Sequence, residues 1–146
     1  MATTPSTETI ALLLPTRKRP PLLVRFWESV AATAEHPELV TVVLVVDEDD
    51  PETLQVVNNL SGLKKCLLVG PPSALAVEKW TRAFCATRCD FSMLCGDDLV
   101  FRTSSWDTSL KDAFSSWPDR LGMIYFRDGV NDQTLAAHPV VHRRWV

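Results

Sequence analysis

Short apolar runs alternate with amphipathic stretches along most of the chain. Four runs are continuously apolar or rich in β-branched residues, as expected for buried strands, and they cover residues 10–14, 40–46, 65–69 and 91–95. The stretches between them repeat apolar residues at helical spacing and cover residues 22–34, 52–59 and 74–87. This alternation predicts an α/β fold with a mainly parallel sheet, right-handed crossovers and helices on both faces.

The pattern weakens towards the C-terminus. A short strand is predicted at 99–101, a helix at 106–115 and a further strand at 121–126, whereas residues 127–146 show no clear period. A length of 146 residues, 46% of them hydrophobic, is enough for one self-sufficient core. We therefore expect a single domain over residues 10–146 with an abbreviated C-terminal part, preceded by a disordered or extended tail over residues 1–9.

Composition narrows the class of partner. The chain has 15 basic and 18 acidic residues, so it lacks the basic field that drives nucleic-acid binding, and no nucleic acid is expected as a partner. The apolar run at 10–14 is too short for a signal peptide or a membrane span, which predicts a cytoplasmic chain with no transmembrane segment. The four cysteines lack the Cys-x2-Cys spacing of zinc sites, and we expect reduced thiols.

Charged residues cluster where the predicted strands end. Two acidic clusters lie at 47–50 and 96–98, a basic loop lies at 16–19, and a small-residue loop at 70–73 opens a helix. In open α/β folds the ligand binds outside the carboxyl ends of the strands, where these loops would meet. A nucleoside diphosphate with a divalent cation would complement this mixture, because arginines suit phosphate and carboxylates suit the metal.

The step Gly96-Asp97-Asp98 predicts different roles for its two acids. Successive residues of an extended chain point to opposite faces, so one carboxylate would ligate a cation while the other orients the ligand. Magnesium and manganese usually take one or two protein carboxylates and complete their shell with water and phosphate. We expect Asp47, directly at its strand end, to converge with Asp98 and favour the cation. The alternative for each acidic cluster is a plain surface turn, and it is preferred for residues 48–50.

Several short motifs together resemble the GT-A type glycosyltransferases, especially the inverting group that includes the bacterial and phage family-two-like enzymes. The motifs are Leu14-Pro15-Thr16-Arg17-Lys18-Arg19-Pro20, Val45-Val46-Asp47, Cys95-Gly96-Asp97-Asp98, and Phe101 followed by Trp106-Asp107. The similarity extends from about Ile10 to the end of the chain. It implies a Rossmann-like GT-A fold, a nucleotide-diphospho-sugar donor and an acceptor of unknown identity.

The resemblance also implies roles for individual residues. Asp47 would hold the nucleobase and Asp97 the donor ribose, while Asp98 would ligate Mn²⁺ or Mg²⁺. Thr16 and Arg17 would contact the nucleotide. The full set expected to bind the nucleotide sugar is Thr16, Arg17, Arg19, Asp47 and Asp97, with Arg19 included for its charge towards phosphate.

The general base of such a transfer has weak candidates in this chain. Family members continue past the metal motif into an acceptor-binding region whose Asp or Glu deprotonates the acceptor hydroxyl. This chain reaches Val146 near where that region would begin. Asp128 and Asp132 are the late acids that could serve, although a turn is the preferred interpretation of both.

Two late histidines invite a metal-binding interpretation. His138 and His142 stand four residues apart, and some family members use a late histidine as an extra metal ligand, so His138 is a candidate. Pro139 favours an extended backbone at His138 rather than a helix. A structural or solvent-facing role is preferred for both histidines.

Two functions remain open. The first is a metal-dependent glycosyltransferase, and the second is a non-catalytic or truncated nucleotide-sugar-binding module of the same fold. A sugar nucleotidyltransferase ranks third, because residues 15–21 contain no glycine for a phosphate-binding loop. An unfinished sheet edge in a small domain also favours a homodimer.

Overall fold

The computed structural model describes residues 7–131 and 134–146. Within them the strands are β1 (Ile10–Thr16), β2 (Val40–Asp47), β3 (Lys64–Gly70), β4 (Phe91–Leu94), β5 (Met123–Ile124) and β6 (Val140–His142). The α-helices are α1 (Pro20–Thr33), α2 (Pro51–Asn59), α3 (Ala76–Ala86) and α4 (Trp106–Ser115). Short 3-10 turns at Pro37–Leu39 and Arg143–Trp145 precede β2 and follow β6.

The strands of the described residues form one six-stranded sheet in the order β3-β2-β1-β4-β6-β5. β1 lies between β2 and β4 and is parallel to both, and β3 is parallel to β2, which confirms the predicted mainly parallel sheet. β6 runs antiparallel to β4 and to β5. The carboxyl ends of β1 to β4 therefore share one edge of the sheet, and the start of β6 lies beside the end of β4.

Helices cover both faces of the sheet, as predicted. On one face, α1 and α4 pack against the sheet through buried side chains such as Phe26 and Phe114. On the other face, α3 packs through Ala83 against Leu13 and Val43. Because β1 and β2 are covered on both sides, their side chains are apolar without alternation, and this gives the unbroken runs seen in the sequence.

Pro15 lies inside β1 without costing a ladder hydrogen bond. β4 pairs with β1 only as far as Leu13, and the Leu13 carbonyl accepts from the amide of Cys95 at 3.0 Å. Backbone groups alternate sides along a strand, so the Pro15 nitrogen points towards β4, as the Leu13 groups do. At Pro15 the two strands are no longer paired, so the missing N–H removes no hydrogen bond. Pro20 then starts α1, where a missing amide donor removes no helical bond.

Some predicted elements differ from the structure. Residues 99–101 form no strand, because the Leu99 amide donates to the Gly96 carbonyl at 3.3 Å in a turn. The strand predicted at 121–126 narrows to β5, and β6 was not predicted at all. Both strands are held by pairing with chain distant in sequence, which the local pattern does not reveal.

All four cysteines are free, as predicted, and burial raises the pKa of the Cys95 thiol. In the described part of the chain, no helix combines the length and apolar character needed to cross a membrane. β3 forms one edge of the sheet with Leu67 and Val69 exposed, and the homodimer remains a prediction.

Candidate functional site

The loops predicted to converge do meet at the carboxyl edge of the sheet. The Thr16 hydroxyl, at the end of β1, donates to Asp97 Oδ2 at 2.7 Å after β4. The Lys18 amide donates to Asp50 Oδ2 at 2.5 Å, which ties the loop after β1 to the start of α2. The Glu48 amide donates to the Gly70 carbonyl at 2.8 Å and links the ends of β2 and β3. The crevice expected from the sequence is therefore confirmed as one connected edge.

Asp47 is fully buried at the end of β2 and is paired with two cations. Lys79 Nζ, from α3, lies 2.8 Å from Asp47 Oδ1 and 2.9 Å from Oδ2. Arg17 donates to Asp47 Oδ2 and also binds Asp49 through both of its terminal nitrogens, at 2.6 and 2.7 Å. Burial disfavours the charged carboxylate, but Lys79 and Arg17 outweigh it and hold the pKa of Asp47 below its usual value.

These pairings correct one expectation about Asp47. The sequence predicted that Asp47 would converge with Asp98 and that the two charges would attract a cation. The structure gives Asp47 the cationic partners Lys79 and Arg17 instead, so its charge is compensated within the protein. Asp47 thus holds Arg17 and Lys79 at this edge of the sheet.

Asp97 faces inward and Asp98 faces outward, but they lie in a turn after β4 and not in the extended geometry that the prediction assumed. Asp97 is fully buried, accepts from the Thr16 hydroxyl, and its Oδ1 lies 2.7 Å from Arg19 Nη2 in an ion pair without hydrogen-bond geometry. Burial raises the pKa of Asp97, and the Thr16 hydrogen bond and Arg19 charge offset this only in part. Asp98 is exposed. The two acids thus differ in environment, one buried and paired and the other exposed.

We expect Asp97→Asn to stabilise the fold at neutral pH. The folded pKa of Asp97 is raised, so its contribution to stability is present at low pH and is lost as the pH rises through that pKa. Asparagine stays neutral and can still accept from Thr16. Urea denaturation at pH 7 should give a free energy of unfolding higher by about 1 kcal/mol, and the gain should vanish well below ~3.9, the ordinary aspartate pKa. The exposed variant Asp112→Asn is the control, and unchanged or lower stability of Asp97→Asn at pH 7 would contradict the assignment.

A cavity of about 290 Å³ opens at this edge and is called the edge cavity here. Its lining includes the predicted nucleotide contacts Thr16, Arg17 and Arg19, together with Lys79. The loop before α3 and Gly96 complete its wall. Three cationic side chains of the described residues therefore border one cavity, which suits a ligand with several phosphate charges.

A second cavity, of about 400 Å³, lies beside Asp98 and is called the Asp98 cavity here. It is lined by Asp98, Asp128 and His138, three of the four late residues given catalytic or metal-binding roles from the sequence. Gly96 lies between the two cavities, because it lines the edge cavity while a Cβ built on it would stand 2.7 Å from Asp98 Oδ1. The same Cβ would stand 3.9 Å from His138 Cε1. Only the first of these distances is too short, so glycine at position 96 allows Asp98 to approach the strand end.

His138 adopts a conformation that the sequence analysis did not expect. Its φ is +56°, so the extended backbone predicted from Pro139 is wrong. The conformation is held by neighbouring contacts, since the Leu94 amide donates to the Pro139 carbonyl at 3.0 Å and His138 Nδ1 lies 3.3 Å from the Leu94 carbonyl. A carbonyl only accepts, so this contact suits the tautomer that carries a proton on Nδ1. A left-handed non-glycine residue is strained, and such strain is often found at functional sites.

His142 has the structural role that was preferred for it. It lies in β6, packs edge-on against Phe91 with ring centroids 5.0 Å apart, and accepts from the Arg144 amide at Nδ1. Burial lowers the pKa of His142, which favours the neutral ring that these contacts use. The two histidines therefore do not form a metal-binding pair on a helix.

The donor atoms near Asp98 fit a divalent cation that is only partly held by protein. Within residues 7–131 and 134–146, no three acidic, histidine or cysteine side chains are grouped closely enough to hold a metal alone. Asp98 offers an exposed carboxylate and His138 an imidazole ring at the same cavity. Manganese accepts such oxygen and nitrogen ligands, and its remaining positions would fall to water and phosphate.

Asp128 forms a turn and also lines the Asp98 cavity. Its Oδ1 accepts from the amides of Val130 and Asn131 at 2.8 and 2.7 Å, and Oδ2 accepts from the Asn131 side chain at 2.8 Å. These contacts agree with the turn interpretation. The other base candidate, Asp132, lies outside the described residues.

Lys79 is the residue of this edge that sequence reasoning missed. It is only 5% exposed and supplies one of the two charges that neutralise Asp47. A signal was present in the sequence, because the spacing from Ala76 through Lys79 to Ala83 places this lysine on the apolar face of α3. A lysine on a buried helix face requires an acidic partner.

No protein-family model and no curated protein sequence matches this chain.

Solved structures share its architecture. The mannosyltransferase PcManGT from Pyrobaculum calidifontis, in complex with GDP-Man and Mn²⁺, superposes with a TM-score of 0.72 at 13% identity, covering 97% of this chain and 47% of that one. S. aureus TarS 1-349 has a TM-score of 0.65 at 16% identity, with coverages of 92% and 47%. Glucosyl-3-phosphoglycerate synthase from Mycobacterium tuberculosis, in complex with UDP, has a TM-score of 0.64 at 15% identity, with coverages of 93% and 57%.

The chain spans about half the length of these solved glycosyltransferases. At such low identity the likeness concerns the fold, and the shared part is the α/β sheet with its flanking helices. The expected Rossmann-like architecture is thus confirmed, and the chain has the GT-A glycosyltransferase fold.

Proposed function

We propose that this chain binds a nucleotide-diphospho-sugar in the edge cavity and transfers the sugar to an acceptor hydroxyl in the Asp98 cavity. The observation that supports this most directly is the lining of the edge cavity by Arg17, Arg19 and Lys79, each in contact with a buried carboxylate. Because these ion pairs hold the cationic side chains in place before the ligand binds, little side-chain entropy is lost on binding.

The nucleotide would lie along the ends of β1 and β2. Arg17 and Lys79 would face its polar groups with Asp47 behind them, and Thr16 would help to fix Asp97 near the ribose. Arg19 has a half-exposed side chain and would reach the diphosphate. Neutralising the charge that develops on a departing nucleoside diphosphate is the main electrostatic task in this reaction class.

A divalent cation, Mn²⁺ or Mg²⁺, would be held by Asp98 and His138. When bound it would supply positive charge to the diphosphate. The protein's own contribution at this point is to present an exposed carboxylate and an imidazole ring beside Gly96, with Nδ1 fixed by the Leu94 carbonyl.

Transfer requires that the acceptor hydroxyl loses a proton as its oxygen bonds to the anomeric carbon. The bond from that carbon to the diphosphate oxygen breaks, and the nucleoside diphosphate leaves with its electron pair. Asp128 is our candidate for the base, because its carboxylate lines the Asp98 cavity and is held by backbone amides. Those hydrogen bonds hold the carboxylate in place, and an ionised carboxylate is a common general base.

A panel of UDP- and GDP-sugars incubated with manganese tests this proposal. We expect at least one donor to release nucleoside diphosphate or transfer its sugar, and Arg19→Gln to weaken donor binding by about tenfold, since one charge-assisted contact is lost. Arg88→Gln, exposed and outside both cavities, is the matched control and should bind as the unmodified chain does. Binding without turnover of any donor would favour the non-catalytic module, and no binding would overturn the proposal.

A further inference from the structure

The Asp98 cavity carries a set of arginines that the donor does not require. Arg25 comes from α1, Arg102 from the loop before α4, and Arg127 from the segment after β5, and all three line this cavity. They approach from elements far apart in sequence, so their meeting is a property of the fold. All three are exposed. The cavity therefore presents guanidinium groups to whatever occupies it.

These arginines differ from those of the edge cavity in their partners. Arg17 and Arg19 each pair with a carboxylate, whereas within the described residues no ion pair joins Arg25, Arg102 or Arg127 to an acid. Arg25 makes a marginal contact, with Nη2 at 3.5 Å from the backbone carbonyl of Asp98. Most of the N–H donors of these three side chains are thus left for solvent or for a ligand.

The charge of the cavity lining points in the same direction. The three arginines outnumber the carboxylates of Asp98 and Asp128 among the described lining residues. If a cation neutralises Asp98, the surplus of positive charge grows. A neutral acceptor would leave that charge uncompensated, whereas an anionic group would form charge-assisted and bidentate hydrogen bonds with it.

Aromatic side chains also line this cavity. Trp106 is 1% exposed, lines the cavity, and its Nε1 has no hydrogen-bond partner among the described residues. Phe101 and Phe126 lie beside it, with ring centroids 4.7 and 6.5 Å from that of Trp106. The cavity thus combines an aromatic base with a cationic rim, which suits a small organic molecule carrying a terminal anion.

We infer that the acceptor of this chain carries a phosphate or carboxylate, which Arg25, Arg102 and Arg127 bind while its hydroxyl lies near Asp128. This rests on the proposed function, because it assigns the donor's diphosphate to Arg17, Arg19 and Lys79. Anchoring the acceptor through its anion orients the hydroxyl towards the donor, and correct orientation is a large part of catalysis of this kind.

Nuclear magnetic resonance titration of the full chain tests the inference, with glycerol 3-phosphate and glycerate as anionic probes and glycerol as the neutral match. Each titration is run with and without saturating UDP or GDP and magnesium. We expect both anions to shift amides of residues 99–103 and 126–128, and to bind about tenfold more tightly than glycerol. Failure of both anions to bind, or binding no tighter than that of glycerol, would overturn the inference. A response to only one anion would identify the anionic group of the acceptor.

The double variant Arg102→Gln with Arg127→Gln should weaken anion binding by about tenfold and leave nucleoside diphosphate binding unchanged. Arg88→Gln is the matched control, and equal weakening by it would overturn the inference. If the double variant weakens nucleoside diphosphate binding instead, the arginines serve the donor, and the inference fails while the proposed function stands. If anions bind but no nucleoside diphosphate does, the proposed function fails and the acceptor assignment fails with it.

Discussion

In Asp98→Ala we expect a nucleoside diphosphate to bind equally well with manganese and with chelator, whereas the unmodified chain should bind it at least about tenfold more tightly with manganese. Asp98 is exposed beside the end of β4, so its loss should not disturb the core. His138 alone would hold a cation weakly, because one imidazole supplies no compensating charge. Calorimetric titration with UDP and GDP, with manganese or with EDTA, measures the difference directly.

Two further variants sharpen this experiment. Gly96→Ala leaves the carboxylate in place but puts a methyl group 2.7 Å from Asp98 Oδ1, so Asp98 must shift and the manganese effect should fall without vanishing. Asp112→Ala, on the exposed side of α4, is the control and should keep the full effect. If the unmodified chain binds the diphosphate equally with manganese and EDTA, the metal assignment is wrong.

The sequence predicted the sheet well where the pattern was local. β1 and β2 are buried on both faces, so nearly all of their residues are apolar, and charged residues lie at or directly after their ends. These features need no knowledge of distant contacts, which is why they could be inferred before the structure was known. The separation of Asp97 from Asp98 was predicted for a different reason, because it arises in the turn from Gly96 to Leu99 and not in a continued strand.

Contacts between distant segments set the limits of prediction. β6 has three residues and is defined by its antiparallel pairing with β4. His138 is forced to a positive φ by the way the chain enters that pairing, against the preference set by Pro139. The charge of Asp47 is neutralised by Lys79 from α3. The three arginines of the Asp98 cavity come from three separate parts of the chain. Motif order identified the edge of the sheet, but the charge balance at that edge required the packed structure.

The pairing of Asp47 with Lys79 should make Asp47 the most stability-sensitive residue of the candidate site. Asp47→Asn leaves the buried Lys79 ammonium without its acidic partner, and such a loss typically costs about 3–5 kcal/mol of the free energy of unfolding. The folded pKa of Asp47 is lowered, so its contribution is present above the unfolded value, ordinarily ~3.9, and is lost as the pH falls through the folded pKa. Urea denaturation should therefore show a large deficit at pH 7 that shrinks in acid.

A double-mutant cycle separates this pairing from a general loss of packing. Lys79→Met alone leaves Asp47 paired with Arg17, whereas Lys79→Met added to Asp47→Asn removes the uncompensated charge. We expect the double variant to be more stable than Asp47→Asn by at least about 1 kcal/mol, because the stability effects of substitutions at two residues in contact do not add. Asp49→Asn, which removes an exposed partner of Arg17, is the control and should change stability little. A double variant less stable than Asp47→Asn would show that Lys79 contributes by packing, and that the buried ion pair does not hold this edge of the sheet.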